Sequence, residues 1–233
     1  MQPFLSVLIP CYNEEKTVEK VVQAVKNCNL DRTMEIILID DASTDNTASV
    51  INGNLLDDID HFIRLPVNRG KGYAIRQGIE KASGEYIIIQ DADLEYDPGD
   101  FVKLCKPVLS GHADIVYGSR FSGGETHRVL YFWHSMGNKF LTLLSNVFTN
   151  LNLTDMETCY KLFPAKILKN LDLVEDRFGI EPEVTAKVAR IPDIRIYETG
   201  ISYFGRTYAE GKKIGWRDGF RAIWVIVKYG ISR

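Results

Sequence analysis

The chain has 233 residues, of which 45% are hydrophobic and 25% charged, and its net charge is −3. These proportions are typical of a soluble globular protein with a proper core. The negative charge argues against nucleic acid as the main partner, because proteins that bind the phosphate backbone are usually basic. The four cysteines are widely spaced and form no CxxC pair, which argues against a zinc site or a disulfide framework and favours a reducing cytosol. No apolar stretch approaches the roughly 20 residues of a membrane span, and no secretion signal is visible at the N-terminus.

Short buried strands alternate with amphipathic helices along the first half of the chain. Val18, Val21, Val22 and Val25, for example, recur at helical spacing and predict one buried helix face. The βαβαβαβαβ order predicts right-handed crossovers and a mostly parallel sheet flanked by helices, an α/β fold. The predicted helices end near Lys26, Leu56, Ala82 and Leu109. The predicted strands are Ser6–Pro10, Glu35–Ile39, His61–Leu65, Tyr86–Gln90 and Asp114–Ser119.

The stretch Gly84–Pro98, GEYIIIQDADLEYDP, carries the strongest functional signal. Its continuous apolar run predicts a strand buried on both faces, as in the interior of a parallel sheet. Acidic side chains then follow its carboxyl end at alternate positions, where open α/β sheets bind ligands. Carboxylates so close together repel one another unless a cation shares them, which favours Mg²⁺ or Mn²⁺ completed by substrate phosphate. The alternative is an acidic, solvated turn. The four acids are Asp91, Asp93, Glu95 and Asp97.

Polar clusters follow three of the predicted strands, at 11–14, 40–45 and 91–97. If these strands are neighbours in the sheet, the clusters line one edge of it, as in a nucleotide-binding crevice. Ser43 and Asp45 have a simpler alternative role, capping the following helix. Gly70-Lys71-Gly72 is glycine-rich and basic, but it matches neither common phosphate-binding motif, and the first strand lacks a glycine-rich turn. A dinucleotide-dependent oxidoreductase is therefore disfavoured.

Six motifs in this order and spacing resemble those of the inverting family 2 glycosyltransferases of GT-A fold. The resemblance is closest to the branch of dolichyl-phosphate mannosyltransferase and other polyprenyl-phosphate glycosyltransferases. It implies a single GT-A domain over 1–233, with a nucleotide-sugar-binding half at 1–121, an acceptor half at 122–213 and a C-terminal interfacial helix at 214–233. The motifs are PCYNEE at 10–15, DDASTDNT at 40–47, NRGKGYAIRQG at 68–78, GEYIIIQDADLEYDP at 84–98, YGSRF at 117–121 and YFGRTYAEGKK at 203–213.

The resemblance also implies roles for individual residues. Glu95 stands where the mannosyltransferase pattern often has Gln, which adds negative charge and could shift metal preference. The alternatives are that Arg120 is an ordinary surface residue, and that Arg206 and Lys212 belong to a solvated loop. The implied ligands of Mg²⁺ or Mn²⁺ are Asp91, Asp93 and Glu95, and the implied catalytic residues are Asp91, Asp93 and Arg120. The residues implied to bind the nucleotide-sugar are Pro10, Tyr12, Glu14, Ile39, Asp41, Asp91, Ala92, Asp93, Arg120, Arg206 and Lys212.

The implied reaction moves a hexose from a nucleotide-sugar to dolichyl or polyprenyl phosphate, with inversion at the anomeric carbon. Metal and basic residues would stabilise the leaving diphosphate, and an acceptor phosphate needs no strong base. A hydroxyl acceptor, such as a glycan, would need one, and Asp155 is the candidate. GDP-mannose is the first choice of donor, because Arg206 and Lys212 match the mannosyl branch, and UDP-glucose is the second. A nucleotide-sugar-binding subunit without activity is a further alternative.

Two apolar segments predict contact with the lipid acceptor and the membrane. Residues 122–150 combine large apolar side chains with basic ones, and Arg128 and Ser135 are the candidate contacts to the acceptor phosphate. An ordinary core helix is the alternative. The C-terminal stretch carries an aromatic stripe with basic neighbours, including Trp224 and Arg221, which suits a helix at a membrane surface unless it packs on its own domain. The prediction is a cytoplasmic protein, peripheral at the cytosolic membrane face.

Overall fold

The computed structural model of the protein describes residues 2–123, 128–129, 131–206 and 216–231, with the backbone alone at 216 and 217. Its strands are β1 (Leu5–Cys11), β2 (Met34–Asp40), β3 (His61–Arg64), β4 (Tyr86–Ile89), β5 (Ile115–Ser119), β6 (Lys161–Pro164) and β7 (Ile196–Gly200). Its α-helices are α1 (Val18–Lys26), α2 (Thr47–Asn54), α3 (Lys71–Lys81), α4 (Phe101–Leu109), α5 (Phe132–Thr149), α6 (Ala165–Asn170), α7 (Ile180–Val188) and α8 (Trp216–Ile231), and a 3₁₀ turn spans Pro98–Asp100.

The seven described strands form one sheet in the order β3-β2-β1-β4-β6-β5-β7. Strands β1 to β4 are parallel to one another, and β7 is parallel to β5. Strand β6 lies antiparallel between β4 and β5. The α/β class, the mostly parallel sheet and the five predicted strands are therefore confirmed. The two strands that the sequence did not predict, β6 and β7, both come from the second half of the chain, so both halves build the same sheet. The boundaries proposed within the domain stay a prediction.

The centre of the sheet is buried on both faces, as continuous apolar strands require. Val7 on β1, Ile37 on β2 and Ile88 on β4 are fully buried. Helix α1 covers the sheet with the four predicted valines. It begins at Val18 rather than at Glu14, because the residues before it form a turn in which the Val18 N–H donates to the Glu14 carbonyl. That turn places Glu14 at the edge of the sheet, where its Oε2 accepts from the Thr17 hydroxyl (2.8 Å).

The last helix packs against α5 and α7. Its buried side chains are Ala222, Val225, Ile226 and Tyr229, so the alternative of packing on its own domain is correct for one side of α8. The other side is exposed, with Phe220 and Trp224 facing solvent. Contact with α5 is close at Gly230, where an added Cβ would lie 2.7 Å from the Phe148 Cβ. Among the described residues, no helix is long and apolar enough to cross a membrane.

Candidate active site

The polar clusters predicted after three strands lie at one edge of the sheet. Strands β2, β1 and β4 are neighbours and run parallel, so their carboxyl ends meet at the same side. Arg206 links two of the clusters directly, since its Nη2 lies 3.3 Å from Glu14 Oε1 and 3.1 Å from Asp93 Oδ2. The predicted convergence is therefore confirmed.

The loops after β1 and β2 hold each other in place. Asn13 adopts a left-handed conformation (φ 53°), and its side-chain oxygen accepts a hydrogen bond from the Thr44 N–H (2.8 Å). In return, the Asn13 N–H donates to Ser43 Oγ (2.9 Å). Asp45 accepts from the Thr47 N–H (2.9 Å) at the start of α2. Asp45 thus binds the first turn of α2, close to its simpler alternative role, whereas the Ser43 hydroxyl joins the two loops instead of capping the helix.

Asp41 fastens the loop that leads into α3. It is 3% exposed and accepts hydrogen bonds from the backbone N–H groups of Arg69 (2.9 Å) and Gly70 (2.7 Å) and from Asn68 Nδ2 (3.0 Å). Burial raises the pKa of Asp41, and the backbone donors counter only part of that rise. Gly70 has a φ of 102°, a conformation that L side chains rarely adopt. Both oxygens of Asp41 are engaged, so its role at the nucleobase stays a prediction.

The other predicted nucleoside contacts differ in how far they are exposed. Ile39 is fully buried in the core, so only its backbone could contact a base. Pro10 and Tyr12 are half-buried at the end of β1, and Ala92 is buried. Lys212 lies outside the described residues. The roles of all five residues in binding stay predictions.

A cavity of about 500 Å³ opens beside these loops, within the size range of small-molecule sites. Arg64 at the end of β3 lines it and is half exposed, and its Nε lies 3.4 Å from Asp40 Oδ2. Asp40 is fully buried. The sequence did not predict this cavity, because its walls come from two separate loops. Its lining residues are Ala42, Ser43, Arg64, Leu65 and Pro66.

The acids after β4 are held close together and faced by two cations. Lys71 Nζ lies 2.7 Å from Asp91 Oδ1, and Arg206 approaches Asp93 as described above. Burial, followed by repulsion from Asp91 and Glu95, raises the pKa of Asp93 to about 7. Burial alone would lower the pKa of Lys71, but Asp91 raises it well above its ordinary value. The strand end therefore carries an excess of negative charge that basic side chains only partly relieve.

Glu95 forms hydrogen bonds that connect this site to the segment 203–206. Its Oε2 accepts from the Tyr203 hydroxyl (2.7 Å), and its Oε1 accepts from the Arg206 N–H (2.6 Å). The Phe204 N–H also donates to the Glu95 carbonyl (2.8 Å). Both carboxylate oxygens of Glu95 thus anchor the chain at 203–206, and its role as a metal ligand stays a prediction.

The donor set matches a hard divalent cation in its chemistry. Asp91 and Asp93 supply the carboxylate oxygens that Mg²⁺ and Mn²⁺ prefer, and burial, followed by repulsion from Asp91 and Glu95, raises the pKa of Asp93. In the described part of the chain, no three acidic, histidine or cysteine side chains are arranged as a ready metal site. Lys71 and Arg206 occupy positions beside these carboxylates, so they would have to share them with a metal.

Arg120 is fixed by a buried ion pair at the end of β5. Asp155 accepts from Arg120 Nε (2.6 Å), Nη2 (2.7 Å) and the backbone N–H (3.1 Å), and it is fully buried. Asn138 of α5 bonds to both partners. Burial opposes the charge of Arg120, but Asp155 raises its pKa well above the ordinary value. Arg120 is therefore not an ordinary surface residue, and Asp155 is not a free base.

The predicted acceptor-phosphate contacts lie at the start of α5 and just before it. Arg128 is exposed, and its Nη1 donates to the Gly205 carbonyl (2.8 Å). Ser135 precedes Asn138 by one helical turn, so the two share one side of α5. Their contact with an acceptor phosphate stays a prediction.

Three residues of the site were not predicted. The first is Lys71, which lies between two glycines in a basic motif that matches no common phosphate-binding loop. The second is Glu181 of α7, whose Oε1 lies 3.6 Å from Lys71 Nζ; the two residues are far apart in the sequence, so no local pattern predicts the contact. The third is Glu157. Burial and the nearby Glu181 raise the pKa of Glu157 to about 7, and its buried Oε1 has no hydrogen-bond partner among the described residues.

Comparison with known proteins identifies the family. Residues 6–172 match the model of Glycosyl transferase family 2, and this match covers more than half of the chain. The chain belongs to family 2 of the glycosyltransferases. The predicted family is thus confirmed.

Two of the relatives that this chain matches are considerably longer than the chain itself. The low-salt glycan biosynthesis hexosyltransferase Agl6 of Haloferax volcanii is 31% identical over 222 residues, which cover 92% of this chain and 52% of Agl6. The dolichyl-phosphate beta-glucosyltransferase ALG5A of Trichomonas vaginalis is 30% identical over 215 residues, which cover 86% of this chain and 65% of ALG5A. The chain therefore spans about half to two thirds of the length of these two relatives.

The fold of this family 2 member matches solved structures. The glucosyl-3-phosphoglycerate synthase of Mycobacterium tuberculosis, in complex with Mn²⁺ and UDP-glucose, superposes with a TM-score of 0.76 at 18% identity over 97% of this chain and 79% of the synthase chain. The expected GT-A fold is confirmed by this likeness. The relatives above are a hexosyltransferase and a glucosyltransferase, so they lend no support to the mannosyl specificity predicted from the sequence.

Proposed function

We propose that this family 2 domain transfers a hexose from a nucleoside-diphosphate sugar to a polyprenyl phosphate. The observation that carries the proposal is the convergence of acidic and basic side chains at the carboxyl edge of β4 and β5. Asp91 and Asp93 lie there with Lys71 and Arg206, and Arg120 is fixed nearby. Such a mixture suits a reaction in which two phosphate-bearing substrates meet.

Departure of the nucleoside diphosphate builds negative charge, and the cations of the site can stabilise it. Arg206 and Lys71 are held beside the carboxylates before substrate arrives, so little reorganisation is needed to place positive charge there. Mg²⁺ or Mn²⁺ bound by Asp91 and Asp93 would act as a Lewis acid on the diphosphate. The proposed role of Arg206 is to exchange its carboxylate partners for diphosphate oxygens.

The acceptor side of the site supports a phosphate rather than a hydroxyl nucleophile. An acceptor phosphate is already anionic, whereas a hydroxyl needs a general base. Asp155, the candidate base, accepts three hydrogen bonds from Arg120 and one from Asn138. Both oxygens of Asp155 are therefore already occupied by donors of the protein, which argues against a role in activating a hydroxyl. A single displacement then inverts the anomeric carbon, which gives a β-linked product from an α-linked donor.

Two helices support a membrane-bound acceptor. Large apolar side chains recur on α5 at helical spacing and are exposed; Trp133, for example, is 81% exposed and Val147 70%. On α8, Trp224 is also exposed, and the Arg221 guanidinium lies 4.5 Å from the centre of its ring. Aromatic and basic side chains together suit the headgroup region of a bilayer. We infer a peripheral position at the cytosolic membrane face, with Arg128 and Ser135 as proposed contacts to the acceptor phosphate.

The direct test is a transfer assay with the purified chain, Mg²⁺ or Mn²⁺ and a short-chain polyprenyl phosphate in detergent. GDP-mannose and UDP-glucose are the two donors to compare, the first favoured by the sequence motifs and the second by the glucosyl relative. We expect a metal-dependent glycolipid with one donor, and none when the corresponding prenol replaces the prenyl phosphate. Transfer to the prenol or to a free glycan, with none to prenyl phosphate, would contradict the proposal.

A further inference from the structure

A buried carboxylate joins the last helix to the loop between α6 and α7. Glu175 is 4% exposed, and its side chain accepts hydrogen bonds from three groups of α8: Arg221 Nη2 (2.6 Å), Lys228 Nζ (3.2 Å) and the Tyr229 hydroxyl (3.3 Å). Burial alone would raise the pKa of Glu175, but the bonds from Arg221 and Lys228 lower it below its ordinary value. The ionised carboxylate thus holds the α6–α7 loop against α8.

The backbone of the same loop is bonded to α3. The Glu175 carbonyl accepts from Arg76 Nη1 (2.7 Å), and the Asp176 carbonyl accepts from the Tyr73 N–H (3.0 Å). A second bond from Arg76 reaches the Asp176 carboxylate (2.5 Å). An N–H in the first turn of a helix has no partner within that helix, so the Asp176 carbonyl supplies one from outside. The loop therefore fixes the position of the first turn of α3.

The close approach of this loop explains the glycines on both sides of Lys71. A Cβ at Gly70 would lie 2.7 Å from the Asp176 carbonyl oxygen, and a Cβ at Gly72 would collide with the Glu175 carbonyl oxygen. Real Cβ atoms essentially never come within 3.0 Å of a neighbour. The two glycines thus let the α6–α7 loop pack directly against the backbone that carries Lys71.

We propose that Glu175 is a positioning residue, which holds the α6–α7 loop between α8 and α3 and thereby places Lys71 for the diphosphate of the donor. The inference rests on the proposed function, in which Lys71 stabilises the leaving diphosphate. Asp91 (2.7 Å) and Glu181 (3.6 Å) direct the tip of Lys71. The stem is flexible, so the reach of the ammonium group also depends on where the backbone lies. A misplacement of about 1 Å caused by a remote change can cost about 100-fold in rate.

The same contacts connect the site to the helix with an exposed aromatic side. The charged groups of Arg221 and Lys228 lie 4.5 and 4.7 Å from the centre of the Trp224 ring, and Trp224 is about half exposed. Both cations therefore contact Glu175 as well as the exposed tryptophan of α8. It follows that α8 supports the position of Lys71 in addition to being the candidate membrane contact.

The test measures binding of GDP and of UDP to the full chain with Mg²⁺, by calorimetry without lipid, for wild type, Glu175→Gln, Lys71→Met and the double variant. For the nucleotide that wild type binds more tightly, we expect Lys71→Met to weaken binding about tenfold or more and Glu175→Gln about three- to tenfold. In the Lys71→Met background, Glu175→Gln should change the affinity by no more than about twofold, because it acts through Lys71. A merely structural role would lower the number of binding sites per chain and leave the affinity of the folded fraction unchanged.

Two further variants complete the experiment. Arg221→Met removes the shortest bond to Glu175 from a half-exposed position, so it should weaken nucleotide binding about twofold or more even if Glu175→Gln fails to fold. Asp58→Asn is the matched control. Asp58 also ties a loop to a helix, since it accepts from Gln23 Nε2 (2.5 Å) and pairs with Lys26 of α1, but it lies before β3, at the amino edge of the sheet. Its replacement should leave nucleotide affinity within about twofold of wild type.

Four results would overturn the inference. These are unchanged affinity in Arg221→Met and in folded Glu175→Gln, unchanged affinity in Lys71→Met, an equal effect of Glu175→Gln with and without Lys71, and an equal loss in Asp58→Asn. In each of these cases wild type still binds a nucleotide, so the proposed function stands while the role of Glu175 falls. If wild type binds neither GDP nor UDP, the proposed function fails together with the inference.

Discussion

Replacing Asp155 by Asn tests whether this carboxylate is a structural partner of Arg120. Asp155 is fully buried and accepts three hydrogen bonds from Arg120 and one from Asn138. Asn removes the negative charge, and its side-chain NH₂ group would face the N–H donors of Arg120. Breaking a buried ion pair from one side costs about 3–5 kcal/mol, because the remaining charge stays buried. We therefore expect Asp155→Asn to lower the free energy of unfolding by roughly that amount.

The chain offers a matched control with the same geometry in a different environment. Asp114 accepts from Arg195 Nε (3.0 Å), Nη2 (2.7 Å) and the backbone N–H (2.9 Å), but the Arg195 side chain is 51% exposed. Exposed pairs contribute about 0–1 kcal/mol, so Asp114→Asn should change stability by no more than that. The comparison tests the effect of burial, because Asp114 accepts from Arg195 the same three hydrogen bonds that Asp155 accepts from Arg120; Asp155 accepts one more, from Asn138.

Urea denaturation followed by far-ultraviolet circular dichroism gives both values on one scale. The double variant Arg120→Met, Asp155→Leu should recover much of the stability that Asp155→Asn loses, because no buried charge remains unpaired. A loss below about 1 kcal/mol for Asp155→Asn, or equal losses at Asp155 and Asp114, would refute this reasoning. Retained stability together with lost transfer would point instead to Asp155 as a catalytic base.

Two further predictions concern pH and the membrane. In metal-free buffer, Asp93→Asn should stabilise the fold by about 1–4 kcal/mol at pH 8 and by little at pH 4. The reason is that the pKa of Asp93 is raised to about 7 in the folded protein, so the protein loses stability as the pH rises from the unfolded pKa of this carboxyl to its folded pKa. Thermal melting across this pH range measures the difference between variant and wild type, and a gain that is largest at pH 4 would contradict the prediction. Leu143→Asp on the exposed side of α5 should reduce sedimentation with anionic vesicles several-fold, whereas Val102→Asp, on an exposed position of α4, should not; equal binding by both variants would exclude α5 as the contact.

The sequence determined the framework and the edge where the site lies. Continuous apolar runs such as Ile87–Ile89 are long enough to specify strands buried on both faces, and alternation with helices implies parallel pairing. Because parallel strands end at one edge, the acids after β4 and the polar loop after β1 could be expected to meet. Family motifs then named most of the charged residues found there, including Asp91, Asp93 and Arg120.

Only the tertiary structure decided which charged side chains form ion pairs with one another. Strand β6 lies antiparallel between β4 and β5, through pairings such as Ile87 with Phe163. No local sequence pattern predicts this position of β6 in the sheet. That placement brings Asp155 beneath Arg120, and the packing of α7 brings Glu181 to Lys71. Sequence periodicity reports on neighbours within one helix or strand, whereas ion pairs of this kind join residues dozens of positions apart. The roles of Glu95 as an anchor and of Asp155 as an ion-pair partner therefore emerge only from the folded chain.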